Sequence, residues 1–143
     1  DRNEDGTFGS LFYSFPAIGC ADGYDKGVVE AEQRWVINQQ KAPIFGTYFG
    51  PGYTCPLWTA RSTIQFKPTG SGAAPIVVVG ATGDPATPYQ SAVTMAKQLE
   101  SGVLVTYAGE GHGTFGGKST CVDRLVIDYL VNGTVPTDGV KCQ

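Results

Sequence analysis

A unit of strand, helix and strand between residues 75 and 115 constrains the fold more than any other feature. Residues 76–79 form an apolar, β-branched run between a proline and a glycine, the pattern of a strand buried on both faces of a parallel sheet. A second such run, residues 103–107, follows a stretch with helical periodicity. Because parallel strands need a long crossover connection, usually a helix, the sequence predicts an α/β fold with a parallel sheet.

The predicted helices have recognisable ends. In the crossover helix, Thr87 offers a hydroxyl N-cap, Pro88 suits the first helical position, and Gln90 can complete a capping box. Helical periodicity also marks residues 26–40 and 120–131, the second ending at a left-handed cap at residues 132–133. A short helix is expected around residues 56–61. The aromatic residues between 8 and 15 either pack beneath a lid or line a substrate pocket.

Two polar residues stand directly after the two predicted strands. Asp84 follows the first strand, and His112, the single histidine of the chain, lies between glycines after the second. The carboxyl ends of parallel strands meet at one edge of the sheet, where open α/β sheets hold their chemistry. A histidine that acts as a general base needs a carboxylate to hold its tautomer and to stabilise the imidazolium. Singly, Asp84 suits a turn and His112 a structural role; together they predict the last two members of a Ser, acid, His triad.

Five segments spread over most of the chain carry a family resemblance. They are VVVGATGDPATPYQSA, GEGHGTF and TCVDRLVIDYLVNGTVPTDGVKC, preceded by AIGCAD from Ala17 and CPLW from Cys55. In this order they resemble the C-terminal region of the tripeptidyl-aminopeptidase-like serine hydrolases, which have the α/β-hydrolase fold and are related to proline iminopeptidases. The resemblance implies a secreted or envelope-associated bacterial exopeptidase in which Asp84 and His112 are catalytic.

The family's nucleophile is missing from this sequence. No serine has glycine both two positions before and two positions after it, so the Gly-x-Ser-x-Gly elbow is absent. The chain has 143 residues, whereas an eight-stranded hydrolase usually needs more than about 200. We therefore expect the C-terminal portion of a longer enzyme, inactive alone and dependent on its N-terminal half or on self-association. Residues 1–60 would connect lid and core, and residues 61–143 would carry the acid and the histidine.

The resemblance implies hydrolysis of peptides from a free N-terminus by a serine outside this chain. Asp22 or Asp25 could meet the substrate's ammonium group, although Asp22 also suits a helix cap. Glu110 is a further candidate for substrate binding, and it could instead tune His112 or be a solvated loop charge. Two other interpretations stay open: a non-catalytic binding or scaffold module, and an esterase or lipase of the same fold, because one triad serves many acyl groups.

Charge and apolar patterning argue against two classes of function. The net charge is −3 and no basic cluster occurs, which disfavours nucleic-acid binding. No apolar run approaches the ~20 residues of a membrane-spanning helix. No Cys or His spacing suggests zinc, and we expect no metal and no cofactor.

Four cysteines allow three pairings. Chain order and the family resemblance favour Cys20 with Cys55 and Cys121 with Cys142, the second tying the last helix to the tail. Cys142 lies in a polar tail that offers no predicted core for a thiol, which favours disulfides over four reduced cysteines in a cytoplasmic protein. We therefore expect a bacterial protein that is secreted or held in the cell envelope.

Overall fold

The chain divides into two compact units. The computed structural model describes residues 2–23, 26–60 and 66–143. The first unit is Asp1–Phe66 and the second is Lys67–Gln143. The sheet named below lies in the second unit.

The first unit is helical over much of its described part. It contains α1 (Ser10–Asp22), α2 (Val28–Lys41) and α3 (Phe45–Tyr48). The predicted helix over residues 26–40 corresponds to α2. A disulfide between Cys20 and Cys55 links α1 to the segment after α3, which is the pairing that the resemblance favoured.

In the first unit, one helix was not predicted from the sequence and one predicted helix was wrong. The sequence did not reveal α1, because Pro16 lies inside it and its apolar residues do not gather on one face. Its aromatic residues include Phe12, which stacks on Phe8 with ring centroids 4.3 Å apart. The short helix predicted around residues 56–61 is absent from its described part: residues 56–60 form turns and bends, and residue 61 lies outside the described residues.

The second unit is a parallel α/β structure. Its elements are β1 (Ile76–Gly83), α4 (Tyr89–Gln98), β2 (Gly102–Glu110), α5 (Thr120–Asn132) and β3 (Val140–Cys142). The strand order is β1-β2-β3, and both neighbouring pairs are parallel. The predicted parallel sheet is confirmed, and β1 and β2 both run further toward their carboxyl ends than the apolar runs indicated. Within the described residues, β1 pairs only with β2, so its other edge is open.

The best-buried core of this unit joins β2, α5 and β3. Val105, Val122 and Cys142 are at most 1% exposed and pack together. Cys142 therefore lies in a core, and the expectation of a polar tail without one was wrong. The tail forms β3 because Val140 and Cys142 pack inward while Lys141 is exposed, an alternation too short to detect in the sequence. The disulfide between Cys121 and Cys142 ties α5 to β3, as the resemblance implied.

The helix ends differ in how well they were predicted. Gly133 closes α5 in the left-handed conformation, with φ of 67°, as predicted. At the start of α4, the N-cap is Pro88 and no side chain caps the helix. The prediction of Thr87 as N-cap was therefore wrong, and the hydroxyl of Thr87 has another partner.

Candidate active site

Asp84 and His112 meet at the carboxyl ends of β1 and β2. Nδ1 of His112 lies 3.0 Å from Oδ2 and 3.2 Å from Oδ1 of Asp84. An ionised carboxylate can only accept hydrogen bonds, so Nδ1 carries the proton and donates a hydrogen bond to Asp84. In the neutral ring Nε2 is then unprotonated and available as a base. The side chain of Asp84 is 7% exposed and that of His112 is 60% exposed, so the carboxylate is shielded while the ring is accessible.

Three donors from its own turn hold the Asp84 carboxylate. The backbone N–H groups of Ala86 and Thr87 donate to Oδ1 over 2.8 and 2.9 Å. The Thr87 hydroxyl donates to Oδ2 over 2.7 Å. The backbone N–H of Thr87 is the largest cause that lowers the pKa of Asp84 well below its usual range, and burial opposes it. The Thr87 hydroxyl, His112 and the backbone of Ala86 lower this pKa further, so Asp84 is ionised at neutral pH.

The local sequence after β1 explains why the Asp84 side chain lies beside His112. The pairing register of β1 and β2 shifts between Ala81 and Gly83, an irregularity of the kind that re-aims side chains beside active sites. Asp84 then bonds to the backbone two and three residues ahead, an aspartate turn that Pro85 favours through its fixed φ. A Cβ at Gly83 would meet the carboxylate end of the exposed Glu110 side chain, which would have to move aside.

Hydrogen bonds hold the loop that carries His112 before and after the histidine. The N–H of Gly111 donates to the carbonyl of Gly83 over 3.0 Å, which ties the histidine loop to the strand of the acid. On the other side, Nζ of Lys118 donates to the carbonyl of His112 over 2.9 Å. Asp123 of α5 accepts from two backbone N–H groups of the same loop, each over 2.8 Å. The backbone that carries the ring is therefore held by strand, loop and helix.

A cavity of about 420 Å³ opens beside this pair. Most of its lining surface is apolar, with a few polar side chains, which is the usual character of a small-ligand site. It is lined by Val78, Val79, Gly80, Ala81, Asp84, Thr87, Ser91, Ala92, Met95, His112, Gly113, Thr114 and Phe115. The pair thus faces a space in which a substrate group can lie.

The other predicted site residues are placed differently. Asp22 is the exposed last residue of α1, and Gly27 is the N-cap of α2, so the alternative of Asp22 as a helix N-cap was wrong. Asp25 lies outside the described residues. Glu110 is the exposed last residue of β2 rather than a loop residue. A substrate-binding role for Asp22, Asp25 or Glu110 stays a prediction.

Sequence reasoning missed two residues that support the pair. Thr87 was interpreted as a helix cap. A hydroxyl residue three positions after an aspartate that starts a turn is also a signal for a hydrogen bond to that aspartate. Lys118 had no signal, because its bond to the carbonyl of His112 depends on the path of the loop. Both residues act on the acid or the histidine through short hydrogen bonds.

Neither a metal cluster nor a membrane-spanning helix occurs in the described part of the chain. No group of three or more His, Cys, Asp or Glu side chains in residues 2–23, 26–60 and 66–143 is arranged to hold a metal ion. Over the same ranges, none of the helices combines the length and apolar character that crossing a bilayer requires.

Comparison with known proteins places these features in a family. A family model described as TAP-like protein matches residues 42–142. Carboxylesterase B of Mycobacterium tuberculosis is 35% identical over 150 residues, and serine protease Hip1 of the same species is 34% identical over 147. Each match covers 99% of this chain but 28% of the relative. Tripeptidyl aminopeptidase of Streptomyces lividans is 30% identical over 90 residues, which are 62% of this chain and 17% of the relative.

The chain therefore spans under a third of the length of the first two relatives. The names of all three describe hydrolases, and all three come from bacteria. The family model covers well over half of the chain, including both strands that present Asp84 and His112, the loops after them and α5. On this evidence the chain belongs to the TAP-like family of α/β-hydrolases.

Proposed function

We propose that this chain supplies the acid and the base of a serine hydrolase whose nucleophile lies in another part of the intact protein. One observation carries the proposal: Nδ1 of His112 is 3.0 Å from Oδ2 of Asp84. The contact commits one ring nitrogen to the carboxylate and leaves Nε2 for a serine hydroxyl. Membership of the TAP-like family supports the same assignment.

The proposed reaction has two proton transfers at Nε2 of His112. Nε2 takes the proton of the serine Oγ as this oxygen bonds to the acyl carbon of the substrate. The imidazolium, stabilised by ionised Asp84, then gives the proton to the leaving amine or alcohol as the bond to the acyl carbon breaks. A water molecule releases the acyl group from the serine by the same two transfers.

The open edge of β1 supports a nucleophile from elsewhere in the protein. Within the described residues, β1 pairs only with β2. Its apolar residues Val77 and Val79 pack against the core. An open edge with apolar residues is a template for another strand. We infer that a strand from outside this chain pairs with β1 and that the serine is presented from that side. The two disulfides support secretion or an envelope location for the whole protein.

The preferred substrate we propose is a peptide with a free N-terminus. The name of the aminopeptidase relative supports a free N-terminus, and the name of the protease relative supports a peptide. Asp22, Asp25 and Glu110 are the candidates to meet the substrate's ammonium group. A carboxylic ester is the second candidate, because the carboxylesterase relative is 35% identical over 99% of this chain. The same acid and base serve both acyl groups.

The test compares the intact hydrolase with variants at the base. Wild type, His112→Ala and His112→Gln are given chromogenic peptides with free or blocked N-termini, with simple esters alongside. Gln retains a group that can donate to Asp84 but provides no base, so both variants should lose nearly all turnover. Full activity in either variant would remove the assignment. Preference for esters or blocked peptides would keep the acid and base and overturn the aminopeptidase assignment.

The open strand edge gives an independent prediction. Residues 1–143 expressed alone should self-associate, because the free edge of β1 has no partner strand among the residues that the structure describes. Sedimentation at several concentrations measures this, with the intact hydrolase as control. A chain that stays monomeric and unfolds cooperatively would contradict the inference of a missing strand.

A further inference from the structure

We propose that Thr87 is the positioning residue of the acid in this site, acting through Asp84 on His112. The inference rests on the proposed function, because it assigns a role within the same proposed acid and base pair. Thr87 does not react with the substrate. It holds the carboxylate in an orientation in which it accepts a hydrogen bond from the Nδ1–H of His112.

Thr87 contacts the three polar atoms at which the two side chains meet, Oδ1 and Oδ2 of Asp84 and Nδ1 of His112. Its backbone N–H donates to Oδ1 of Asp84 over 2.9 Å, and its hydroxyl donates to Oδ2 over 2.7 Å. The same hydroxyl oxygen lies 3.3 Å from Nδ1 of His112. Because the hydroxyl proton is directed to the carboxylate, the lone pairs of this oxygen are left for the N–H of the ring. Thr87 thus holds the acceptor of the ring proton and adds a weaker second acceptor beside it.

These bonds restrict the freedom that Asp84 would otherwise have. A carboxylate turns readily about its terminal torsion, since rotamers of that bond are broad. With both oxygens held, the carboxylate cannot turn away from the ring without losing at least one bond to Thr87. The Asp84 side chain is only 7% exposed, so protein donors replace most of the water that would otherwise solvate it. The orientation of the ring is therefore set before a substrate binds, which is how preorganised sites lower a barrier.

Among the residues that the structure describes, the hydroxyl of Thr87 makes no bond that competes with this role. It does not cap α4, whose N-cap is Pro88 without a side-chain bond. The turn after β1 is held by the backbone N–H groups of Ala86 and Thr87, which any substituted residue at position 87 other than proline would retain. The bonds unique to the hydroxyl go to Asp84 and His112.

The experiment separates the hydroxyl from the shape of the side chain. Thr87→Val keeps the branched shape and the backbone N–H but removes the hydroxyl, and Thr87→Ser keeps the hydroxyl. In the intact hydrolase, kcat of the Val variant should fall about 10-fold to 100-fold, the loss expected for one hydrogen bond to a charged group. KM should change by less than about threefold, because the bond acts on the base and not on substrate binding. The Ser variant should recover most of kcat.

The controls remove folding and unrelated hydroxyl groups as explanations. Active enzyme is counted by prolonged titration with an irreversible serine-directed inhibitor, so that misfolded protein does not enter kcat. Thr94→Val is the matched control, because its hydroxyl bonds to the Gln90 carbonyl within α4 and does not contact the pair. This variant should retain the wild-type kcat.

Each outcome decides between the inference and the proposed function. A Val variant with wild-type kcat, in an enzyme that His112→Ala inactivates, would overturn the role of Thr87 and leave the proposed function standing. A Ser variant as slow as the Val variant would also overturn it, since the shape of the side chain would then be what matters. An enzyme that retains its activity after His112→Ala would overturn both.

Discussion

Asp84→Asn is the substitution whose effect the structure determines most directly. Two backbone N–H groups, of Ala86 and Thr87, point at the same oxygen, Oδ1. An asparagine must place its own amide oxygen there, because its NH2 group cannot accept from them. The NH2 group then takes the position of Oδ2 and faces Nδ1 of His112. The shape of the side chain is preserved, but the polarity toward the ring is reversed.

The reversal moves the proton of His112 to the wrong nitrogen. An NH2 group can only donate, so Nδ1 must become the acceptor and Nε2 must carry the proton. A protonated Nε2 cannot take the proton of a serine, and the imidazolium has lost its anionic partner. The corresponding change in a serine protease lowers kcat about 10⁴-fold with the geometry intact. We expect a loss of similar size, with KM nearly unchanged.

The assay is steady-state hydrolysis by the intact protein on its best chromogenic substrate. Asp128→Asn on α5 is the matched control, because it removes one negative charge at a partly buried helix position whose carboxylate contacts Asn132. Its kcat should be unchanged. An Asp84→Asn variant that folds and retains more than about a tenth of the wild-type kcat would refute the tautomer argument.

Four other outcomes are expected. Non-reducing peptide mapping should join Cys121 to Cys142, and Cys142→Ser should destabilise the fold by about 3 kcal/mol, the chain-entropy estimate for a separation of 21 residues; free thiols at both positions would contradict it. Ser119→Ala removes the N-cap of α5 and should cost about 1 kcal/mol in chemical denaturation. Gly102→Ala places a methyl 2.1 Å from a carbonyl of α4 and should cost about 1 to 3 kcal/mol. Asp84 should remain mostly ionised at pH 3.8, the ordinary value, in a carboxyl NMR titration, so its contribution to stability is lost progressively as the pH falls below that value and through its lowered pKa.

The parts of the fold that the sequence predicted are those with a dense local signal. Residues 76–79 are β-branched on both faces, and the helix at 120–131 has one apolar face and a glycine cap. Asp84 and His112 were predicted as a pair because each directly follows a parallel strand, and topology alone brings such residues to one edge. Their distance of 3.0 Å agrees with that reasoning.

The parts that the sequence did not predict depend on tertiary contacts. Strand β3 has three residues, and only its pairing with β2 and the packing of Cys142 show that it is a strand. The role of Thr87 was hidden because a threonine before a proline is also a good helix cap. Its hydroxyl bonds to the acid instead, because the turn after β1 brings Asp84 within 2.7 Å of it.

Substitutions should affect the contact between the acid and the base differently from the position of the proposed serine. The acid and the base belong to neighbouring strands that Gly111 and Gly83 tie together beyond the last strand pair, so their geometry is fixed within this chain. In the proposed function, a strand from another part of the protein pairs with the open edge of β1 and the serine is presented from that side. A slip of one residue in that pairing would shift the added strand by about 3.3 Å and turn each of its side chains to the opposite face of the sheet. Substitutions along the β1 edge should therefore lower turnover while leaving the contact between Asp84 and His112 intact.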